Sequence, residues 1–205
     1  MLAVMISVRS LLIAATGCSL AACVSPPSLD PVELGAGQWS LDTAHARVNW
    51  QVRHLGLSWY TARFDGVEAR LDFDPADPQS AQLTAIVDAR SVSTGDLEFD
   101  ATLREASWLD AERHPQIVFT STQIEVTGEN TGRVFGTLSL KGVSAPAVLE
   151  TEFYGGLFNP LEQRQAIGFG ADLVIDRTEF GVGRLPGNFL GDEVVLRIEA
   201  EFLQE

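Results

Sequence analysis

The sequence predicts an all-β domain, an antiparallel meander of eight strands with one helix inserted near its middle. Three observations lead there. Apolar and polar residues alternate with period two over eight separate segments. One apolar face per strand suits antiparallel pairing, because parallel strands buried on both faces read as continuous apolar runs and need crossover helices. Turn-forming residues stand at the joins, at Asp74-Pro75, Gly128-Glu129-Asn130, Lys141-Gly142 and Gly155-Gly156.

The strands follow in order. Val48, Trp50 and Val52 alternate with Asn49, Gln51 and Arg53, and Val67, Ala69, Leu71 and Phe73 with Glu68, Arg70 and Asp72. The pattern recurs over Leu83–Ala89, Ile117–Val126, Val134–Leu140, Ala147–Tyr154, Ala166–Ile175 and Val194–Phe202. Between the third and fourth segments, residues 96–110 place Leu97, Ala101, Leu103, Trp108 and Leu109 at mixed three and four spacing, which predicts the helix. Thr94 is the expected cap, and His114-Pro115 closes the region. Such a sheet closes into a barrel or folds as a sandwich. Gly136, Gly168, Gly170, Ala69, Ala85, Ala147, Ala166 and Ala200 fall on core-like positions, where small residues either leave space or mark tight bends.

The chain has 205 residues, 45% of them apolar and 20% charged, which suits a globular domain with a real core. Fourteen Lys and Arg oppose 28 Asp and Glu, a net charge of −14, and Lys141 is the lone lysine. A surface of that sign repels phosphate backbones, so no nucleic-acid partner is expected.

Residues 1–22 read as a signal peptide, with Arg9 ahead of an apolar stretch too short to span a bilayer comfortably; Met5 is an alternative start. Leu20-Ala21-Ala22-Cys23 resembles the lipobox of bacterial lipoproteins, which makes Cys23 the expected lipidation site and first mature residue. Cys18 then leaves with the signal, and no internal disulfide can form. Residues 23–37, rich in Pro, Ser and Gly, read as a flexible tether reaching roughly 40 Å at about 3.1 Å per residue. The barrel domain is expected over 38–205. The location implied is the bacterial cell envelope, lipid-anchored and facing the periplasm, at the outer membrane rather than the inner in a Gram-negative cell, since Val24 is not an aspartate.

Little in the sequence suggests catalysis. His45, His54 and His114 are the three histidines, and there is no nucleophile elbow, zinc-protease motif, phosphate loop or CxxC. Asp72, Asp74 and Asp77 lack the glycine and distal glutamate of a calcium loop. No enzyme activity, metal or cofactor is expected.

Five ordered blocks resemble the YceI-like, polyisoprenoid-binding family. They are Asp42-Thr43-Ala44-His45 with Val48-x-Trp50-x-Val52-x-His54-Leu55-Gly56; Ser91-x-x-Thr94, Asp100-x-x-Leu103-Arg104 and Trp108-Leu109-Asp110; His114-Pro115-x-Ile117-x-Phe119; Val134-x-Gly136-x-Leu138-x-Leu140-Lys141-Gly142-Val143; and Asp176-Arg177-x-x-Phe180-Gly181-Val182. The resemblance covers 38–203. It implies a lipocalin-like eight-stranded antiparallel barrel around an apolar lumen that holds an isoprenoid or quinone chain for storage, transport or sequestration. Trp50, Phe64, Leu103, Trp108, Phe119, Leu138, Phe169 and Phe180 are then the expected lining, and Arg104 and His114 the polar contacts near an opening by the helix. Two departures from the family pattern are Ala62 in place of a glycine and Phe99 in place of an arginine. The expected partners are the lipid, the membrane through Cys23, and a second copy of the chain in a homodimer. The competing reading is a solidly packed barrel, a stress-related or structural envelope lipoprotein that works through protein partners.

Overall fold

In the computed structural model, which describes residues 26–30 and 34–205, eleven strands join into one sheet. They are β1 (Gly37–Leu41), β2 (Arg47–His54), β3 (Ser58–Phe64), β4 (Val67–Phe73), β5 (Gln82–Asp88), β6 (Val92–Ser93), β7 (Gln116–Val126), β8 (Thr131–Leu140), β9 (Val143–Asn159), β10 (Arg164–Asp176) and β11 (Leu190–Gln204), with helix α1 (Leu97–Arg104) between β6 and β7.

Six of the eleven are halves of longer strands. β11 pairs antiparallel with β2 from Leu190 to Glu199 and with β1 from Phe202 to Gln204, so β1 and β2 form one strand broken at residues 42–46. β3 and β4 run opposite them, interrupted at Asp65-Gly66, and β6 and β5 lie beyond. Counted this way, eight antiparallel strands follow one another around a closed ring, each pairing with its sequence neighbour and the last with the first. Closure pairs most of the sheet edge, leaving β6 and the far half of β7 each with one partner strand.

The turns alternate between the two ends of the barrel. One end holds the β2–β3 turn, α1, the β8–β9 turn and the β10–β11 loop. The other holds the β4–β5 loop, the β7–β8 and β9–β10 turns, the start of β1 and the C-terminus. On β4 and β11 the inward faces are those the alternation marks, Val67, Leu71 and Phe73, and Leu196, Ile198 and Phe202; on β10 the inward residues are Phe169, Ala171 and Leu173.

Several local expectations need correction. The helix spans 97–104, not 96–110; its last turn gives way to tight turns through residues 105–113. Asp96, not Thr94, caps it, accepting hydrogen bonds from the amides of Glu98 and Phe99 at 3.0 and 3.3 Å. Thr94 instead donates its hydroxyl and amide to buried Asp100, each at 2.7 Å. β1, β3 and β6 lie outside the eight alternating segments, being short or carrying mixed polarity.

Residues 1–25 and 31–33 lie outside the described residues, and with them the signal peptide, the lipobox and Cys23. In the described part of the stretch read as a tether, Pro26, Pro27, Leu29, Asp30, Gly35 and Ala36 are exposed, and contacts to the barrel are made at a few points. Ser28 and Gly156 of β9 exchange two backbone hydrogen bonds, Leu34 is fully buried beside Gly156, and Gly37 already begins β1.

Candidate functional site: a lumen open at one end

Inside the barrel lies an apolar cavity of about 280 Å³, near the lower end of the roughly 300–1,000 Å³ usual for ligand pockets. On β4 it runs past Val67, Ala69, Leu71 and Phe73, a depth of roughly 20 Å at about 3.3 Å per residue. Ala85 and Val87 of β5, Phe119 and Ile124 of β7, and Val134 and Leu138 of β8 form one wall. Phe169, Ala171 and Leu173 of β10 and Leu196, Ile198 and Ala200 of β11 form the other.

Small residues create the space. Ala69, Ala85 and Ala200 line the cavity. Gly136 lies beneath the ring of Phe119, where a β-carbon would overlap the ring and the Thr120 carbonyl. Gly168 and Gly170 are corrections, because they face outward under the ring and hydroxyl of Tyr154.

The closed end is the one that carries the helix. Leu103, Leu109 and Phe180 are buried there, with Trp50 and Trp108 packed against them, and none of the five lines the cavity. Phe99, the departure from the family pattern, meets Tyr60 edge-on at 5.6 Å, and Tyr60 in turn meets Trp50 at 6.2 Å. Arg177, itself buried, locks the β10–β11 loop over this end. Its guanidinium donates to the carbonyls of Val182, Gly183, Leu185, Leu190 and Gly191 and to the Asp192 carboxylate, at 2.8–3.3 Å.

The open end lies diagonally opposite. After a bulge between Ser121 and Gln123, β7 continues with β8 alone, away from β5, and a gap opens toward the β4–β5 loop. Pro75, Pro78 and Ala81 form one side of this mouth, Val126 and residues 128–131 another, and Leu29 of the N-terminal segment a third. The polar residues of the lining are Glu129, Asn130, Thr131 and Thr151 at the mouth, and Arg47 and Glu199 beside the β1–β2 break. Asn130 donates to the Phe153 carbonyl at 3.2 Å and Thr151 to the Gly132 carbonyl at 2.8 Å, which fixes the β7–β8 turn against β9. Asp74 and Asp77 of the β4–β5 loop add negative charge nearby.

A family model for the YceI-like domain matches residues 39–202. The chain belongs to this family. It is 33% identical over 139 residues to a UPF0312 protein of Ectopseudomonas mendocina, covering 67% of this chain and 73% of that one. It is 31% identical over 172 residues to Protein YceI of Salmonella arizonae, covering 83% and 88%. Among solved structures, the Campylobacter jejuni YCEI protein superposes with a TM-score of 0.68 at 28% identity, covering 75% of this chain and 90% of that one. Burkholderia cenocepacia BcnA superposes at 0.70 with 24% identity, covering 78% and 98%. A polyisoprenoid binding domain from Saccharophagus degradans superposes at 0.59 with 16% identity, covering 83% and 100%. The last two show the shared fold.

Within this YceI-like domain, the eight expected lining residues divide evenly. Phe64, Phe119, Leu138 and Phe169 line the cavity. Trp50, Leu103, Trp108 and Phe180 do not, because helix packing uses them to seal the far end. The opening expected near the helix is corrected likewise. Arg104 reaches the Val92 carbonyl at 3.4 Å and His114 packs over Gly142, both at the sealed end. Phe153, Leu71 and Phe73 also line the cavity and are not among the expected lining residues, although Leu71 and Phe73 belong to an alternating run.

One cluster outside the lumen has the donor chemistry for a cation. Asp42, His45 and Glu201 bring three ligand atoms within 4.8 Å of one another on the surface of the barrel. The His45 Nδ1–H donates to Asp42 at 2.8 Å. That hydrogen bond holds the Asp42 carboxyl below its ordinary range, and the same bond, with the charges of Asp42 and Glu201, raises His45. Asp42 and His45 thus satisfy each other as an ion pair, with the Glu201 carboxylate nearby.

Proposed function

We propose that this protein is a lipid-anchored binding protein of the bacterial cell envelope that takes an isoprenoid or quinone chain into its lumen for storage, transport or sequestration. The observation that carries the reading is an apolar cavity inside a closed barrel. Burying a hydrocarbon chain there gains roughly 25 cal/mol per Å² of apolar surface, so a prenyl tail binds without many polar contacts. The polyisoprenoid binding domain from Saccharophagus degradans, which shares the fold, supports the same ligand class. The lipobox at residues 20–23 supports the anchor.

The rim favours an uncharged head group. Glu129, Asp74 and Asp77 stand around the mouth and Arg104 lies at the sealed end, while Arg47, which also lines the cavity, donates to the Thr43 and Ala46 carbonyls beside Glu199, so a phosphate head at the mouth would meet net negative charge. The hollow supports a ligand carrier over a solidly packed barrel that works through protein partners. Function here is binding without turnover.

Native mass spectrometry and solvent extraction of the mature protein from its host test the reading. The expected result is a bound prenyl compound in stoichiometric amount. Protein that is reproducibly empty and also refuses added prenyl quinone would overturn it.

A further inference from the structure

The open end of the barrel is also the end from which the N-terminal segment leaves. Ser28 donates its amide to the Gly156 carbonyl at 2.7 Å and accepts from the Gly156 amide at 2.9 Å, while Leu29 one residue on lines the mouth. Cys23 stands five residues before Ser28. A chain reaches at most about 3.3–3.6 Å per residue, so an acyl-bearing Cys23 keeps Ser28 within roughly 17 Å of the membrane surface. The ends of the barrel are farther apart than that. A strand of β8's 10 residues, tilted as in eight-stranded barrels, separates them by roughly 25 Å.

We infer that the mouth is a membrane-docking face, pressed toward the bilayer by the short anchor so that the lipid passes between bilayer and lumen without crossing water. This rests on the anchored reading of Cys23 given above.

The side chains around the mouth fit that role. Leu161 at the tip of the β9–β10 turn is 89% exposed and Phe158 just before it 55%, with Val126 and Leu29 also exposed at the same end. Apolar side chains on turn tips lower the cost of meeting an acyl interface. Exposed apolar residues alone would not choose between the ends, since Leu57, Leu97 and Phe189 project from the sealed end. The attachment point and the opening choose. The acidic rim, with Glu129 and Glu162 both exposed, commits the docking partner to a neutral lipid surface, because an anionic one would repel it.

The test uses the full acylated chain in vesicles of phosphatidylcholine with brominated acyl chains, carrying a bimane label at L161C or, separately, at L57C. The label at position 161 is expected to lose most of its emission and the label at 57 to keep it; added anionic phosphatidylglycerol should weaken the quenching. Equal emission from both positions, or stronger quenching at 57, overturns the inference. The mass of the N-terminal peptide and the extracted lipid report on the same preparation whether the anchor and the ligand are present. Acylated, lipid-loaded protein with an unquenched label at 161 removes the docking face and leaves the carrier standing. Unacylated protein removes the anchor and the docking face together. As a second readout, Leu161→Ser should slow prenyl quinone transfer from vesicles while leaving its binding in detergent unchanged; equal transfer rates also count against the inference.

Discussion

The ring of Phe119 lies directly on the backbone of Gly136 in the adjoining strand, so the absence of a side chain at 136 lets the ring lie flat against the wall instead of standing into the lumen. Gly136→Ala is therefore expected to destabilise the fold by about 1–3 kcal/mol through overpacking. Urea denaturation would show a lower midpoint with an unchanged slope. A midpoint equal to wild type would mean that the ring has room to yield.

Cavity and core should respond oppositely to substitution. Ala85→Phe adds a ring to empty lumen, so its cost is expected to stay below the roughly 1–3 kcal/mol of overpacking a filled core, while prenyl quinone uptake falls severely. Phe180→Ala removes a ring from the sealed end and should cost about 3–5 kcal/mol with little effect on uptake by the protein that remains folded. Thermal melts paired with titration of a fluorescent quinone analogue measure both. Uptake that falls with Phe180→Ala and survives Ala85→Phe would contradict the assignment of the ends.

Arg177 supplies donors to five backbone carbonyls and one carboxylate while itself almost wholly buried. Arg177→Met leaves those acceptors without their partner, at about 1–3 kcal/mol for each one that water does not reach. Hydrogen exchange should rise first at Val182 and Leu190, whose amides bond to the Arg177 and Pro186 carbonyls within this loop. Arg177→Lys is expected to rescue little, since an ammonium cannot span the same fork of acceptors.

The Asp42–His45 pair gives a pH signature. His45 is raised by its hydrogen bond to Asp42, then by the charges of Asp42, Glu201 and Glu162, above the ordinary value of about 6.5. Its contribution is fully present below that ordinary value and fades as pH rises through the folded value. Asp42 is lowered, so its contribution is present above its ordinary range and fades as pH falls through the folded value. NMR titration should place the His45 midpoint above 6.5, and Asp42→Asn should bring it down. An unmoved midpoint in the variant would refute the pairing in solution.

Head-group charge offers a further check. Prenyl quinone or prenyl alcohol should bind more tightly than a prenyl phosphate of equal length, and the gap should narrow as salt rises, since screening weakens the repulsion from Glu129, Asp74 and Asp77. A prenyl phosphate that binds as well at low salt would point to Arg47, which also lines the cavity, reaching the head group.

Much of the site was legible in the alternation itself. Once Val67, Ala69, Leu71 and Phe73 share a face, any barrel built from them turns that face inward, and likewise Val194 to Phe202. β1 and β3 escaped because each is half of a broken strand: Trp39 and Leu41, or Ala62 and Phe64, are too few to establish a period. Gly168 and Gly170 misled because a glycine carries no polarity with which to mark its face.

The sequence by itself determined the β class, the one inserted helix, the inward faces and the family, because period and motif order are local properties that hold wherever the strands sit. Which end of the barrel is open was decided only by tertiary structure. It depends on α1 and the Arg177-bound loop filling one end, and on β7 parting from β5 at the other. Those contacts join residues far apart in the chain, and no spacing along the sequence encodes them. For the same reason Trp108 and Phe180, expected as lining, pack as a plug rather than a wall.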